Sequence, residues 1–205
     1  MANIIGPFGL QQWGTASGPP NFAENHNTPY RIAAGNGTAI FYGDLVNYVV
    51  TTGYIQQWAA ASGSATVIVA GVFIGCEYYS TSQKKNVWNN YWPGSDATGD
   101  VSAYVVDDPN ALFRIQGDTT LGVPITQTSL GRVADVVVNA GNTTTGISGM
   151  ALALPTTSTS GFLPLKMVNL ITTPPGANGT DITTTGNYVI VGFNNQTYKS
   201  TTGSV

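Results

Sequence analysis

Cys76 is the only cysteine and His26 the only histidine in the chain. A thiol paired with that imidazole, oriented by Glu77 or Asp107, is a nucleophilic arrangement that can be drawn on paper. Their contexts argue against it. Cys76 lies in the apolar run GVFIGCEYY (Gly71 to Tyr79), where cysteine serves as a small core side chain. His26 lies in a stretch interrupted by Gly and Pro.

Other chemistries fare no better. Zinc centres need several Cys and His ligands, which this chain does not contain. Asp96 with Asp100, or Asp107 with Asp108, offers oxygen ligands for calcium, but no D-x-D-x-D-G pattern surrounds them. Asp107-Asp108-Pro109-Asn110 reads more simply as a turn, with Pro109 fixing its angle and the Asp side chains taking nearby amides. A glycosidase needs two carboxyl groups facing each other across a sugar, and the ten acids mark no such pair. Gly35-Asn36-Gly37 opens like a dinucleotide fingerprint but lacks the third Gly and the helix that should follow. The expectation is a protein that is not an enzyme, with no catalytic residues, no metal and no cofactor.

The remaining side chains of note are aromatic. Trp88, Tyr91 and Trp92 crowd a segment that ends in Pro93-Gly94, and Phe8 and Trp13 lie near the N-terminus. A rigid aromatic face stacks on a sugar ring, fills a partner's pocket or covers its own core. All three uses stay open for Trp88, Tyr91 and Trp92.

The composition points toward assembly. Only 8% of the 205 residues are charged, against roughly 25% in ordinary soluble domains. A polar but nearly uncharged surface is covered by another protein at little desolvation cost. Thr-rich strands and Gly/Asn turns produce the same composition in any β fold. Seven basic residues and a net charge of -3 argue against a nucleic-acid footprint. There is no apolar run of about 18 residues to span a bilayer, and MANIIGPFGL does not read as a secretion signal. With one cysteine, no intrachain disulfide is available. Four Asn-x-Thr tripeptides, at Asn36, Asn142, Asn178 and Asn195, are what an Asn- and Thr-rich chain produces by chance.

The elements that must position these residues are short strands. Residues 1–29 hold too many Gly and Pro for a long regular element, yet carry Ile4, Ile5, Phe8, Leu10, Trp13 and Phe22. They read as an extended N-terminal arm that lies on another surface, its own domain or a neighbour's. From Tyr30 onward, apolar stretches of about five to eight residues bounded by turn residues predict strands. These cover 30–33, 39–41, 45–51, 54–60, 66–79, 101–106, 112–116, 133–139, 165–171 and 188–193. Leu45 to Val50 is apolar on both faces, as for a strand buried on two sides. Phe113 and Ile115 alternate with Arg114 and Gln116, the half-buried pattern. Gly71 and Gly75 interrupt the longest run and mark a bend or bulge. Residues 139–149 and 172–186 read as long surface loops. The expected fold is all-β, an antiparallel barrel-like or sandwich domain over residues 30–198, with curling at the glycines favouring a barrel. Residues 199–205 form a short tail.

Several tracts carry a resemblance. GDLV at 43–46, GVFIGCEY at 71–78, YWPG at 91–94, AYVVDDPNALFRIQ at 103–116, GRVADV at 131–136 and VIVGFNNQTY at 189–198 together resemble small virion proteins of tailed bacteriophages. The likeness covers most of residues 30–198. It implies a head decoration (cement) protein that is made in the host cytoplasm and sits on the capsid exterior. Its partners would be the major capsid protein and further copies of itself, as a homotrimer. Such a protein adds contact free energy that must be lost before capsomers separate. The arm and the 86–94 loop are the expected contacts, through Phe8, Trp13, Trp88, Tyr91 and Trp92. The alternative is a tail-associated receptor- or carbohydrate-binding module, with Trp88 and Trp92 stacking on sugar.

Overall fold

A computed structural model describes residues 2–16, 30–59, 67–120, 122–153, 163–175 and 178–199. Phe22, His26 and residues 200–205 lie outside the described residues. The strands in chain order are β1 Gln11–Thr15, β2 Tyr30–Ile32, β3 Leu45–Tyr48, β4 Ile55–Gln57, β5 Val69–Ser80, β6 Lys85–Asn89 and β7 Val101–Val106. They continue as β8 Ala111–Gln116, β9 Val133–Ala134, β10 Val136–Val137, β11 Ala151–Leu152, β12 Leu165–Leu170 and β13 Tyr188–Phe193.

Two antiparallel sheets dominate. The first has the order β1-β8-β13-β12-β9, and the second β2-β7-β5-β3-β4, with β6 also paired to β5. Between them lies one core, to which Phe113, Ile115, Val189, Val191, Phe193 and Leu165 come from the first sheet and Leu45, Val69, Val72 and Val106 from the second. The opposite face of the second sheet carries another core, of Ile32, Val46, Ile55, Phe73, Cys76, Trp92, Val101 and Val105. Leu45 and Val46 therefore serve different cores, as their two-faced apolar pattern requires.

Gly71 and Gly75 sit at the points expected of them. The register of β5 slips against β3 between Val46 and Asn47, beside Gly71, and against β7 between Phe73 and Gly75. A Cβ on Gly71 would meet the Val106 carbonyl oxygen at 2.4 Å, and Gly75 adopts φ 153°. Only glycine accepts such an approach and such an angle without strain. The bulges curl the second sheet until Cα atoms of β2 and β4 come within 8 Å, yet no ladder joins those strands. The sheet stays open and the first sheet packs across its inner face. The sandwich form of the expected antiparallel fold is the one adopted, and the barrel is not closed.

Local departures have local causes. The strand expected over 45–51 ends at Tyr48 because the Val49 carbonyl accepts Thr52 and Gly53 amides in a tight turn. Residues 39–41 contribute one bridge, Ile40 to Trp92. The run 133–139 divides at Asp135, whose carboxylate takes the Val136 amide and the Trp58 indole N–H. Three strands were not expected: β11, β6 inside the supposed aromatic loop, and β1 inside the supposed arm.

Candidate contact surfaces

Residues 2–16 lie on their own domain. Leu10 is buried in the inter-sheet core, and β1 pairs with the edge of β8. Farther toward the N-terminus, the Asn3 amide donates to the Asp181 and Thr185 carbonyls at 2.8 and 3.1 Å and accepts the Gly179 amide at 3.1 Å. Gln116 accepts the Gly6 amide at 3.0 Å and donates to the Ile4 and Gly186 carbonyls, each at 2.8 Å. Gln116 is thus buried although its alternation placed it on the solvent face: the N-terminal segment covers it. The Arg114 guanidinium donates to Gln11 Oε1 and lies 5.0, 6.0 and 5.3 Å from the ring centres of Phe8, Trp13 and Tyr188. Cation–π contacts of this kind add about 0.5–1 kcal/mol each where partly exposed.

The five expected contact residues separate by environment. Trp92 is fully buried, its ring edge-on to Tyr78 at 5.1 Å and its indole N–H on the Asn36 carbonyl at 3.1 Å. This corrects its assignment as a contact or sugar-stacking residue, since it has no surface to offer. Tyr91 is half-buried and stacked on Phe41 at 5.4 Å. Phe8 is half-buried and edge-on to Tyr188 at 5.3 Å. Trp13 and Trp88 are exposed, at 46% and 63%. The supposed aromatic loop is therefore a strand that shows Trp88, followed by a loop that packs Tyr91 and Trp92 inward.

Trp13 lines a groove of about 540 Å³ on the outer face of the first sheet, together with Gly14, Thr15, Leu112, Val168, Asn169 and Ile190. Two bulges build it. On β1 the pairing passes from Gln12–Phe113 to Gly14–Leu112, leaving Trp13 as the extra residue. On β12 it passes from Met167–Val191 to Asn169–Ile190, leaving Val168 as the extra residue, 46% exposed. A bulge re-aims a side chain, and here two of them raise apolar walls on either side of β8 and β13. Gly192 keeps the floor low, since a Cβ there would press on Leu112 Cδ2 at 3.3 Å. Val168 and Leu112 were not singled out from sequence, because a bulge in LKMVNL leaves no mark that period-two alternation detects.

The groups considered for chemistry hold structural posts. The Cys76 thiol donates to the Tyr91 carbonyl at 3.6 Å, and burial pushes its pKa up to about 12. The neighbouring Glu77 points to the opposite, exposed face. Asp107 accepts the Tyr30 hydroxyl at 2.7 Å, and burial followed by that bond drives the Tyr30 pKa upward. Asp108 accepts the Asn110 amide at 2.8 Å, closing the turn at Pro109. Asp100 takes the Tyr54 hydroxyl at 2.8 Å. Asp96 receives Ser80 Oγ at 2.7 Å, Thr81 Oγ1 at 2.8 Å and the Ser82 amide at 3.0 Å, and these bonds, Ser80 first, lower its pKa to about 2. Buried Asp44 joins the Phe41 amide, Gln57 and Ser148; burial raises its pKa against those bonds. Asn36 sits in a turn that seats Trp92 and receives the Ser95 amide. Among the described residues, no group of three or more His, Cys, Asp and Glu side chains is placed to hold a metal.

No protein-family model, curated protein or solved structure matches this chain.

Proposed function

We propose that the chain is a capsid decoration (cement) protein of a tailed bacteriophage. In this reading it binds the outer surface of the head, self-associates as a trimer and ties neighbouring major capsid protein capsomers together. The observation that carries the reading is the groove whose walls are the outward-turned bulge residues Trp13 and Val168. An outward Trp and Val lower solubility, and the one Arg114 contact of Trp13 leaves the ring 46% exposed, whereas an apolar segment of a partner laid between the two side chains buries both. Ile4 and Ile5, 64% and 53% exposed, lie on the same N-terminal segment as Trp13. The scarcity of charge keeps the desolvation cost of a large contact low.

The test is co-sedimentation. The protein is expressed with the major capsid protein of its own genome, and expanded shells are separated from soluble protein. The expected result is the protein in the shell fraction, with shells that resist heating better than bare ones. Trp13→Ala combined with Val168→Ser should return it to the supernatant while its melting temperature stays near that of the parent. Wild-type protein left in the supernatant would defeat the proposal.

A further inference from the structure

The inner face of the second sheet outruns the sheet that covers it. On β5, Val72 lies in the inter-sheet core, Ile74 packs partly against it, and Glu77 and Tyr79 beyond are exposed. Strand β6 extends that uncovered end. Trp88 pairs directly with Glu77, and Glu77 in turn pairs with Ser102 on β7.

Gly75 decides how Trp88 lies. A Cβ on Gly75 would be 3.1 Å from Cζ2 and 3.5 Å from Cε2 of the indole. The ring therefore rests on bare backbone, and 63% of the residue stays open to solvent. Around it stand polar groups that a stacking partner would meet. The Tyr104 hydroxyl donates to Glu77 Oε2 at 3.3 Å, with Ser102 beside Glu77 and the exposed Asn86 two residues along β6.

A wholly apolar partner on this platform would strip water from the Glu77 carboxylate and give nothing back, a cost of several kcal/mol for a buried unpaired charge. An anionic partner would be repelled by it. The chemistry that suits both parts is a neutral ring with a C–H face for the indole and hydroxyl groups at its rim. Those hydroxyls would donate to the carboxylate in charge-assisted bonds and exchange bonds with Tyr104 and Ser102. We infer that Trp88, laid on Gly75 and flanked by Glu77 and Tyr104, is a binding platform for one neutral pyranose ring.

This site is independent of the capsid reading, since it is built on the second sheet and the Trp13 groove on the first. An open platform with one stacking ring implies weak binding, in a range suited to saturation-transfer NMR. The probes are methyl β-D-galactopyranoside and methyl β-D-glucopyranoside, each titrated against the full chain. The expected result is transfer to the ring C–H protons of at least one probe. It should fall at least tenfold in Trp88→Ala, fall in Glu77→Gln and persist in Trp13→Ala. Absence of transfer in the wild type, or transfer that survives Trp88→Ala, overturns the inference. So does a Trp88→Ala variant that loses no transfer but changes the oligomeric state in light scattering, which would make the platform an interface between copies. Trp88→Phe, which keeps a stacking face, should retain part of the signal if stacking is the cause.

Discussion

Three aromatic residues within five positions have three different fates, and the difference is energetic. Trp92 has no exposed surface, an edge-on partner and a satisfied indole N–H. Trp92→Ala should cost about 3–5 kcal/mol, the range for emptying a large buried site. Trp88→Ala removes a mostly exposed ring and should cost less than about 1 kcal/mol. Denaturant unfolding of the two variants checks this directly; equal losses would mean that Trp88 is part of the core. Cys76 belongs with Trp92: its thiol is held protonated by burial, with a pKa near 12, and is committed to a backbone carbonyl.

At the scale of elements, the β5–β6 hairpin is held at its turn by one carboxylate. Asp96 gathers the Ser80 and Thr81 hydroxyls and the Ser82 amide from residues 80–82. Its pKa falls from 3.8 to about 2 on folding. A carboxyl whose folded pKa lies below its unfolded value contributes stability that is complete above the unfolded value and vanishes as pH falls through the folded one. Wild type should therefore melt higher than Asp96→Asn at pH 6, and the gap should close between about pH 4 and pH 2. A gap that is constant across that interval would show that Asp96 acts without its charge. The bulges of β1, β5 and β12 make a second point at this scale. In β5 they curl the second sheet, while in β1 and β12 they turn Trp13 and Val168 out of the sheet.

For the whole molecule, the N-terminal segment is a structural part of the sandwich. It adds a strand to the first sheet, places Leu10 in the core and occupies both ends of the Gln116 amide. Removing residues 1–10 should lower the stability of the isolated chain by at least about 3 kcal/mol, the scale of losing a buried leucine and its neighbours. It should also speed amide exchange along 111–116. An arm that served only a neighbouring molecule would leave both unchanged, so unfolding and exchange measurements on the truncated chain decide between the two. The same dependence explains why point substitutions at Trp13 and Val168, and not truncation, are the proper test of shell binding.

Local pattern determined much of this. Alternation and turn residues are properties of a few neighbouring positions, so β7 and β13 were legible to the residue, and β2, β8 and β12 nearly so. Gly71 and Gly75 announced bulges because backbone angle and close approach are demands on a single residue. The two-faced character of Leu45 to Tyr48 was readable for the same reason. What alternation does not encode is which face meets what. Gln116 was a solvent residue by pattern and became a buried one because a segment 110 residues away lies across it. The aromatic cluster looked uniform along the chain, yet pairing of β6 with β5 sent Trp88 outward and the Ile40 bridge drew Trp92 inward. The exposed face that carries Trp88 exists because β5 and β6 extend past the sheet opposite, and the groove beside Trp13 exists because two distant bulges stand on either side of β8 and β13. Burial and exposure at long range are set by packing between elements, and that only the tertiary structure decided.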